Sequence, residues 1–218
     1  MSDLQQEQAT SAISISKKNQ QIIIYLVVGG LIAAGAILGY TELYQKPREA
    51  KAADAMFVAE KYFAQDSSNL VLNGDGTSKG VLYIIKEFGG TSSANLAKYY
   101  AGISYFRLGD FNKSLEYLKD FSTNAKQVQA IAFGTMGDAY AELKKNEEAI
   151  DAYKKAGAHF PEDAGISSEY LFRAASLLEM NGKADDAISI YQDIKLKYPS
   201  SEKGINADKY IYRLKVQP

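Results

Sequence analysis

Small and aromatic residues recur at matching positions of successive units, each read on a 34-residue pattern, from the middle of this chain onwards, and that repetition restricts the fold more than any other feature. Counted from Ala130, Gly137 stands at position 8, Tyr140 at 11, Ala149 at 20, Tyr153 at 24, Ala156 at 27 and Pro161 at 32. Counted from Asn95, the residues Gly102, Tyr105, Gly109, Ser114 and Leu118 take positions 8, 11, 15, 20 and 24. Counted from Ser168, the residues Ala175, Gly182, Ala187, Tyr191 and Pro199 take positions 8, 15, 20, 24 and 32. A helix–turn–helix unit accounts for the pattern. Small residues at 8, 20 and 27 let helices approach closely, and the large residues at 11 and 24 fill the spaces between them. Proline at 32 ends the second helix. One such pair cannot bury its apolar face alone, so the units must stack.

The turns agree with this division. Leu108-Gly109-Asp110 and Asn181-Gly182-Lys183 put glycine where a helix ends, and Asn146 is placed to cap the second helix of the middle unit. The pattern resembles that of the tetratricopeptide repeats. The resemblance implies an all-α fold, a right-handed α-solenoid with three repeats over 93–200. Upstream, Ala50 to Gln65 predicts one helix with Ala52, Met56, Ala59 and Phe63 on one face. Val81, Ile84, Ile85 and Phe88 mark a second, shorter one by their i, i+3, i+4, i+7 spacing. Residues 42–92 are therefore expected to form a helical linker and an N-terminal capping pair. Between the two helices Asn73-Gly74-Asp75-Gly76 marks a turn that lacks the remaining oxygen ligands of a calcium loop, including its closing glutamate. Ala207 to Leu214 predicts a final helix within a 201–218 cap.

The N-terminal part is of another kind. From Asn19 to Thr41 no residue is charged, and Ile22 to Tyr40 is almost wholly apolar. As a helix those positions measure roughly 28 Å, close to the hydrocarbon thickness of a bilayer. A buried core helix would keep a polar stripe, which is missing here. A cleaved signal would have a shorter apolar region, whereas this one runs into Glu42, Lys46 and Arg48 without a small-residue cleavage pattern. Residues 22–41 are thus expected to be a single transmembrane helix behind a tail at 1–21. Lys17 and Lys18 precede it while Lys46, Arg48 and Lys51 follow, a mild bias towards a cytoplasmic C-terminal side. Long soluble domains translocate largely regardless of such charges, so the bias leaves topology open. Gly35-Ala36-Ile37-Leu38-Gly39 matches G-x-x-x-G, which makes Gly35 and Gly39 candidate contacts for another membrane helix. Glycine and alanine are also common in such helices without a partner. Tyr25, Tyr40 and Tyr44 read as interfacial anchors.

Composition argues against catalysis and against nucleic acid. The chain has 25 basic and 26 acidic residues, so it offers no basic field to a phosphate backbone. With no cysteine and one histidine, His159, it lacks a thiol nucleophile and has too few ligands for zinc. His159 falls near the end of a predicted helix, where the helix dipole favours it. No phosphate-binding glycine loop is present. The carboxylates, as at Glu147-Glu148, fall on predicted exposed faces. No enzyme, cofactor, metal or small-molecule substrate is expected.

What remains is a surface for proteins. In stacked helix pairs the concave face is lined mainly by positions 2, 5, 9, 12 and 13 of each unit. In the first unit these are Leu96, Tyr99, Ile103, Phe106 and Arg107; in the second, Ile131, Gly134, Asp138, Ala141 and Glu142; in the third, Glu169, Phe172, Ser176, Glu179 and Met180. The groove is expected to be apolar and aromatic at its membrane-proximal end, and acidic over an apolar floor further on. Such rings suit an apolar peptide, extended or helical. Alternatively the C-terminal helix folds into the groove and covers them. The Lys and Asn clamp by which some tetratricopeptide domains hold a terminal carboxylate is replaced by Tyr99, Ile103, Gly134 and Asp138.

Several stretches carry a closer likeness. They are Ala55-Met56-Phe57-Val58-Ala59, Phe63-Ala64-Gln65-Asp66-Ser67, Leu72-Asn73-Gly74-Asp75-Gly76 and Tyr99-Tyr100-Ala101-Gly102-Ile103-Ser104-Tyr105, with Arg107-Leu108-Gly109-Asp110-Phe111. In these, over about residues 17 to 214, the chain resembles the YfgM-like family, ancillary subunits of the SecYEG translocon, in its Bacteroidota-type members. The resemblance implies a bacterial inner-membrane protein with a cytoplasmic N-terminus and a periplasmic repeat domain. It implies a membrane-tethered adaptor or chaperone whose partners are translocon subunits, a periplasmic chaperone and exported clients. The alternative is a structural scaffold in another envelope assembly, for outer-membrane biogenesis or division. The repeat motif itself is shared by unrelated proteins and certifies architecture better than role.

Overall fold

The computed structural model describes residues 17–216, so the expected tail at 1–21 lies outside the described residues up to residue 16. The chain forms two compact units, Met1–Arg48 and Glu49–Pro218.

In the first unit, α1 (Lys17–Tyr40) is a 24-residue helix. It is about 36 Å long and is long and apolar enough to cross a bilayer. Its apolar side chains stand exposed: Leu26 is 71% and Leu31 68% accessible. An apolar helix with nothing packed on it has its favourable surroundings in hydrocarbon. The helix begins five residues before the expected start at residue 22. A π-helical turn, Thr41–Gln45, follows it. The Thr41 hydroxyl donates to the Ile37 carbonyl at 2.8 Å, where it competes with the regular backbone pattern. Lys46 pairs with Glu42 at 2.6 Å, and Arg48 donates to the Tyr44 hydroxyl at 3.0 Å.

The second unit is built wholly of helices among the described residues, with one isolated bridge between Gly74 and Lys79. α2 (Lys46–Ala64) enters it at Glu49. Ala52, Met56 and Ala59 are buried as their spacing predicts, in one cluster with Val71, Val81, Ile84, Ala94, Ala97 and Ala101. Phe63, the fourth residue of that face, sets its ring edge-on to Tyr100 at 4.7 Å. Two short helices follow, α3 (Ser68–Asn73) and α4 (Val81–Glu87). α3 was not apparent in the sequence pattern, since six residues are too few to show a helical period. Burial of Val71 and Leu72 holds it in place. The turn after it closes on Asp75, which accepts from the backbone N–H groups of Thr77 and Ser78 and from the Tyr62 hydroxyl at 2.7 Å.

Three helix pairs come next: α5 (Ser92–Arg107) with α6 (Phe111–Lys119), α7 (Lys126–Glu142) with α8 (Asn146–His159), and α9 (Ala164–Met180) with α10 (Ala184–Lys197). Position 8 faces position 24 within a unit. A side chain on Gly102 would overlap Leu118, and one on Gly137 would overlap the Tyr153 ring. All three first helices end in the same double hydrogen bond. Gly109 and Asp110 donate to the carbonyls of Phe106 and Tyr105, Lys144 and Lys145 to those of Ala141 and Tyr140, and Gly182 and Lys183 to those of Glu179 and Leu178. Asn146 does not cap α8 as expected. Lys145 occupies the cap without a side-chain bond, and Asn146 instead donates to Asn181 at 2.8 Å, joining the turns of two units. Thr91, Asp110 and Asp163 do cap, at the starts of α5, α6 and α9. The last helix, α11 (Glu202–Val216), buries Gly204, Ala207, Ile211 and Leu214. It packs on α10 and α9, where the first helix of a further unit would stand.

Candidate functional site

The first helices of the pairs, α5, α7 and α9, contact one another in series and line one face, with α11 continuing the row. At its N-terminal end Leu96, Tyr99 and Phe106 are half-buried and Ile103 is buried. Tyr99 leans on Phe121 at 5.3 Å and on Tyr100 at 5.7 Å; burial raises its phenol above the usual tyrosine range, against the opposing charge of Arg107. Phe106 meets Phe111 at 5.5 Å. Arg107 turns to the upstream helices, pairing with Asp66 at 2.9 Å and lying 4.4 Å over the Phe63 ring.

The centre is a chain of charges linking two units and the cap. Asp138 on α7 accepts from the Tyr153 hydroxyl at 2.7 Å and from the Arg173 guanidinium at 2.8 and 3.1 Å. Arg173 also donates to Glu169 at 2.9 Å, and Glu169 pairs with Lys203 on α11 at 3.4 Å. Burial, then the bond to Asp138, moves the Tyr153 phenol well above its usual range. Burial works to discharge Arg173, but Glu169 and Asp138 outweigh it and hold the guanidinium firmly protonated. Burial likewise opposes the Glu169 charge and is outweighed by Arg173 and Lys203, leaving that carboxyl below the usual range. Beside this network the Tyr170 ring lies over Gly134, filling the space where a side chain at that position would stand. Its phenol is pushed up to about 12, chiefly by burial.

At the C-terminal end α11 covers part of the face. Phe172 packs between Tyr191 at 5.8 Å and Tyr210 at 5.0 Å, with the Lys203 ammonium 4.7 Å over its ring. Arg213 grips Glu179 at 2.7 Å through both carboxylate oxygens. Glu142 and Met180 remain exposed, Met180 at 80%. Of the expected lining residues, Leu96, Tyr99, Ile103, Phe106, Asp138, Glu142, Phe172 and Met180 lie on the row of first helices, Arg107 turns to the upstream helices, and Asp138, Glu169, Glu179 and Phe172 make internal contacts. Sequence reasoning missed Tyr170, Arg173 and Lys203. Gly134 was the available signal, because a glycine at a lining position invites a neighbour's ring. The spacing Glu169 to Arg173, i to i+4, was the other. In the first unit, a side-chain carbon added at the candidate membrane contacts Gly35 and Gly39 meets nothing within 4 Å beyond its own helix backbone among the described residues. Such a repeat face offers a ligand area, rings and hydrogen-bonding edges.

Residues 96–126, 135–163 and 169–201 match the family model of the tetratricopeptide repeat, one match to each helix pair. The three pairs are tetratricopeptide repeats. A TPR repeat-containing protein of Methanocaldococcus jannaschii is 27% identical over 100 residues, which are 46% of this chain and 29% of that relative. The chain thus covers well under half the length of the relative it matches. Tetratricopeptide repeats stack into an extended surface of the kind that takes protein partners.

Proposed function

We propose that this protein is a membrane-tethered adaptor that presents its tetratricopeptide groove to proteins at the export translocon of the bacterial inner membrane. On this reading α1 is the single anchor, the N-terminus is cytoplasmic and the repeat domain is periplasmic. The observation that carries the tether is the long apolar helix, whose side chains stand exposed among the described residues, followed in sequence by a compact repeat domain. The likeness to the YfgM-like family supports the choice of translocon, periplasmic chaperone and exported chains as partners. Tethering keeps the groove at a high local concentration near emerging chains, so modest affinity suffices.

The groove is used at its N-terminal part, where Tyr99 and Phe106 offer ring edges away from α11. Photo-crosslinking side chains at Glu142 and Met180, both exposed on that face, and at Leu196 away from it, test the assignment in intact cells. Translocon subunits and varied exported chains trapped from Glu142 and Met180, and not from Leu196, are the expected result. A single constant partner without the translocon overturns the adaptor and establishes a scaffold of another envelope assembly. Added protease digesting the repeat domain in spheroplasts, before the inner membrane is opened, is expected; survival until then reverses the topology.

A further inference from the structure

Two phenols converge on α7 from the helices either side of it. The Tyr170 ring reaches over Gly134 from α9 and takes the space of the missing side chain. Tyr99 comes from α5, packed on Phe121 at 5.3 Å and in one cluster with Ala132 and Met136 of α7. Both rings are half-buried. Burial, opposed by Arg173, raises the Tyr170 phenol, and Asp138 and the Tyr99 phenol lie near enough to add to the rise. Burial, opposed by Arg107, raises Tyr99 as well, so both groups keep their protons and remain donors. Neither hydroxyl has a hydrogen-bond partner among the described residues. Tyr153, by contrast, donates to Asp138 at 2.7 Å. A hydroxyl drawn partly out of water without an acceptor forfeits a bond that an incoming ligand can supply.

We propose that Tyr99 and Tyr170 form a main-chain clamp, their two hydroxyls donating to backbone carbonyl oxygens of an extended, unfolded polypeptide segment laid across α5 and α7. The clamp rests on the reading of the groove as a client-binding face and names what that face recognises. Charge selects a carbonyl over a carboxylate. Of the cations beside the phenols, Arg173 is committed to Asp138 and Glu169, and Arg107 to Asp66. Asp138 stands near Tyr170, and Glu142 is exposed one turn further along α7. An entering carboxylate would meet those charges with both arginines already held. A main-chain carbonyl carries no charge and needs only a donor. Leu96 and Phe106, half-buried on the same helix as Tyr99, give the segment's side chains an apolar wall. Every residue of every chain has a carbonyl, so the clamp accepts varied sequences. It rejects folded ones, whose carbonyls are engaged in their own helices and sheets.

Full-length protein in detergent is titrated, by fluorescence anisotropy, with a dye-labelled nonapeptide of alternating leucine and serine, acetylated and amidated at its ends. Tyr99→Phe and Tyr170→Phe each remove one oxygen and leave the ring, and each is expected to weaken binding roughly fivefold, the worth of one neutral hydrogen bond. Circular dichroism and thermal unfolding are expected to stay unchanged in both. Affinity is expected to be the same at low and high salt. Replacing single peptide amides by esters, whose carbonyls accept more weakly, is expected to weaken binding at one or two linkages. At those linkages the ester makes no further difference in the Tyr99→Phe, Tyr170→Phe chain. No binding by the unaltered chain, equal affinity in the phenylalanine variants, or an ester effect undiminished in the double variant overturns the clamp. A peptide with a free terminal carboxylate that binds about tenfold tighter overturns it too, in favour of a chain-end site. Peptide binding that depends on both phenols, in a protein that traps no translocon subunit in cells, keeps the clamp and removes the export-site reading; the reverse removes the clamp alone.

Discussion

Lys144 holds a left-handed backbone, φ 62°, at the turn where the first and third repeats have Gly109 and Gly182. All three sit at position 15 of their units, and all three close the same pair of hydrogen bonds. A side-chain carbon in that region crowds the following carbonyl, so Lys144→Gly should stabilise the domain by roughly 0.5–1 kcal/mol, read as a higher urea midpoint at unchanged slope. Gly137 is the reverse case. Its missing side chain is where the Tyr153 ring lies, and Tyr153 is fixed by its bond to Asp138, so Gly137→Ala should cost about 1–3 kcal/mol. These residues also mark what a sequence discloses. Gly102 and Gly137 were legible because close approach leaves no choice of residue. Lys144 was not, because the turn tolerates a lysine at a cost that the surrounding bonds absorb. In the Asp138–Arg173–Glu169–Lys203 chain only the i, i+4 step from Glu169 to Arg173 was legible, since Asp138 finds Arg173, and Glu169 finds Lys203, more than 30 positions away in neighbouring helices.

Among the elements, the periodic helices were read well, the seven-residue α4 included, and the six-residue α3 was not. α2 and α11 follow from their buried stripes, whereas α3 exists only because Val71 and Leu72 find a core made by others. The join between α2 and the first repeat is more than apolar contact. Glu49 accepts from the backbone N–H groups of Ser92 and Ser93 at 2.6 and 2.9 Å and from the Ser93 hydroxyl, so it serves as a cap for α5 from another helix. Burial opposes its charge, and the bonds from Ser93 and Ser92 outweigh it, so the carboxyl lies below the usual glutamate range. A lowered carboxyl contributes stability that is present above the unfolded value, about 4.3, and lost as pH falls through the folded one. Thermal unfolding followed from pH 7 to pH 3 should therefore lose a component of acid sensitivity in Glu49→Gln, along with part of the stability at pH 7. Equal slopes in both proteins would remove Glu49 from the joint.

For the whole molecule, stability passes along a row of neighbours. Each pair packs on the next, and α11 covers Tyr191, Ile194 and Phe172 at the end. A chain ending at residue 201 should lose cooperative urea unfolding in the third repeat and aggregate on isolation, because that face is then bare. On the proposed reading, with α1 as the anchor, the protein is also a mechanical element. A pull on a bound chain would be resisted at α1, and the first structure between the two is α2 with α3 and α4, held by a small apolar cluster, the Phe63–Tyr100 contact, the Arg107–Asp66 pair and the Glu49 joint. That section works as a fuse. Once it yields, residues 49–91, at about 3.4 Å each, would pay out roughly 150 Å of line while the repeats stay folded.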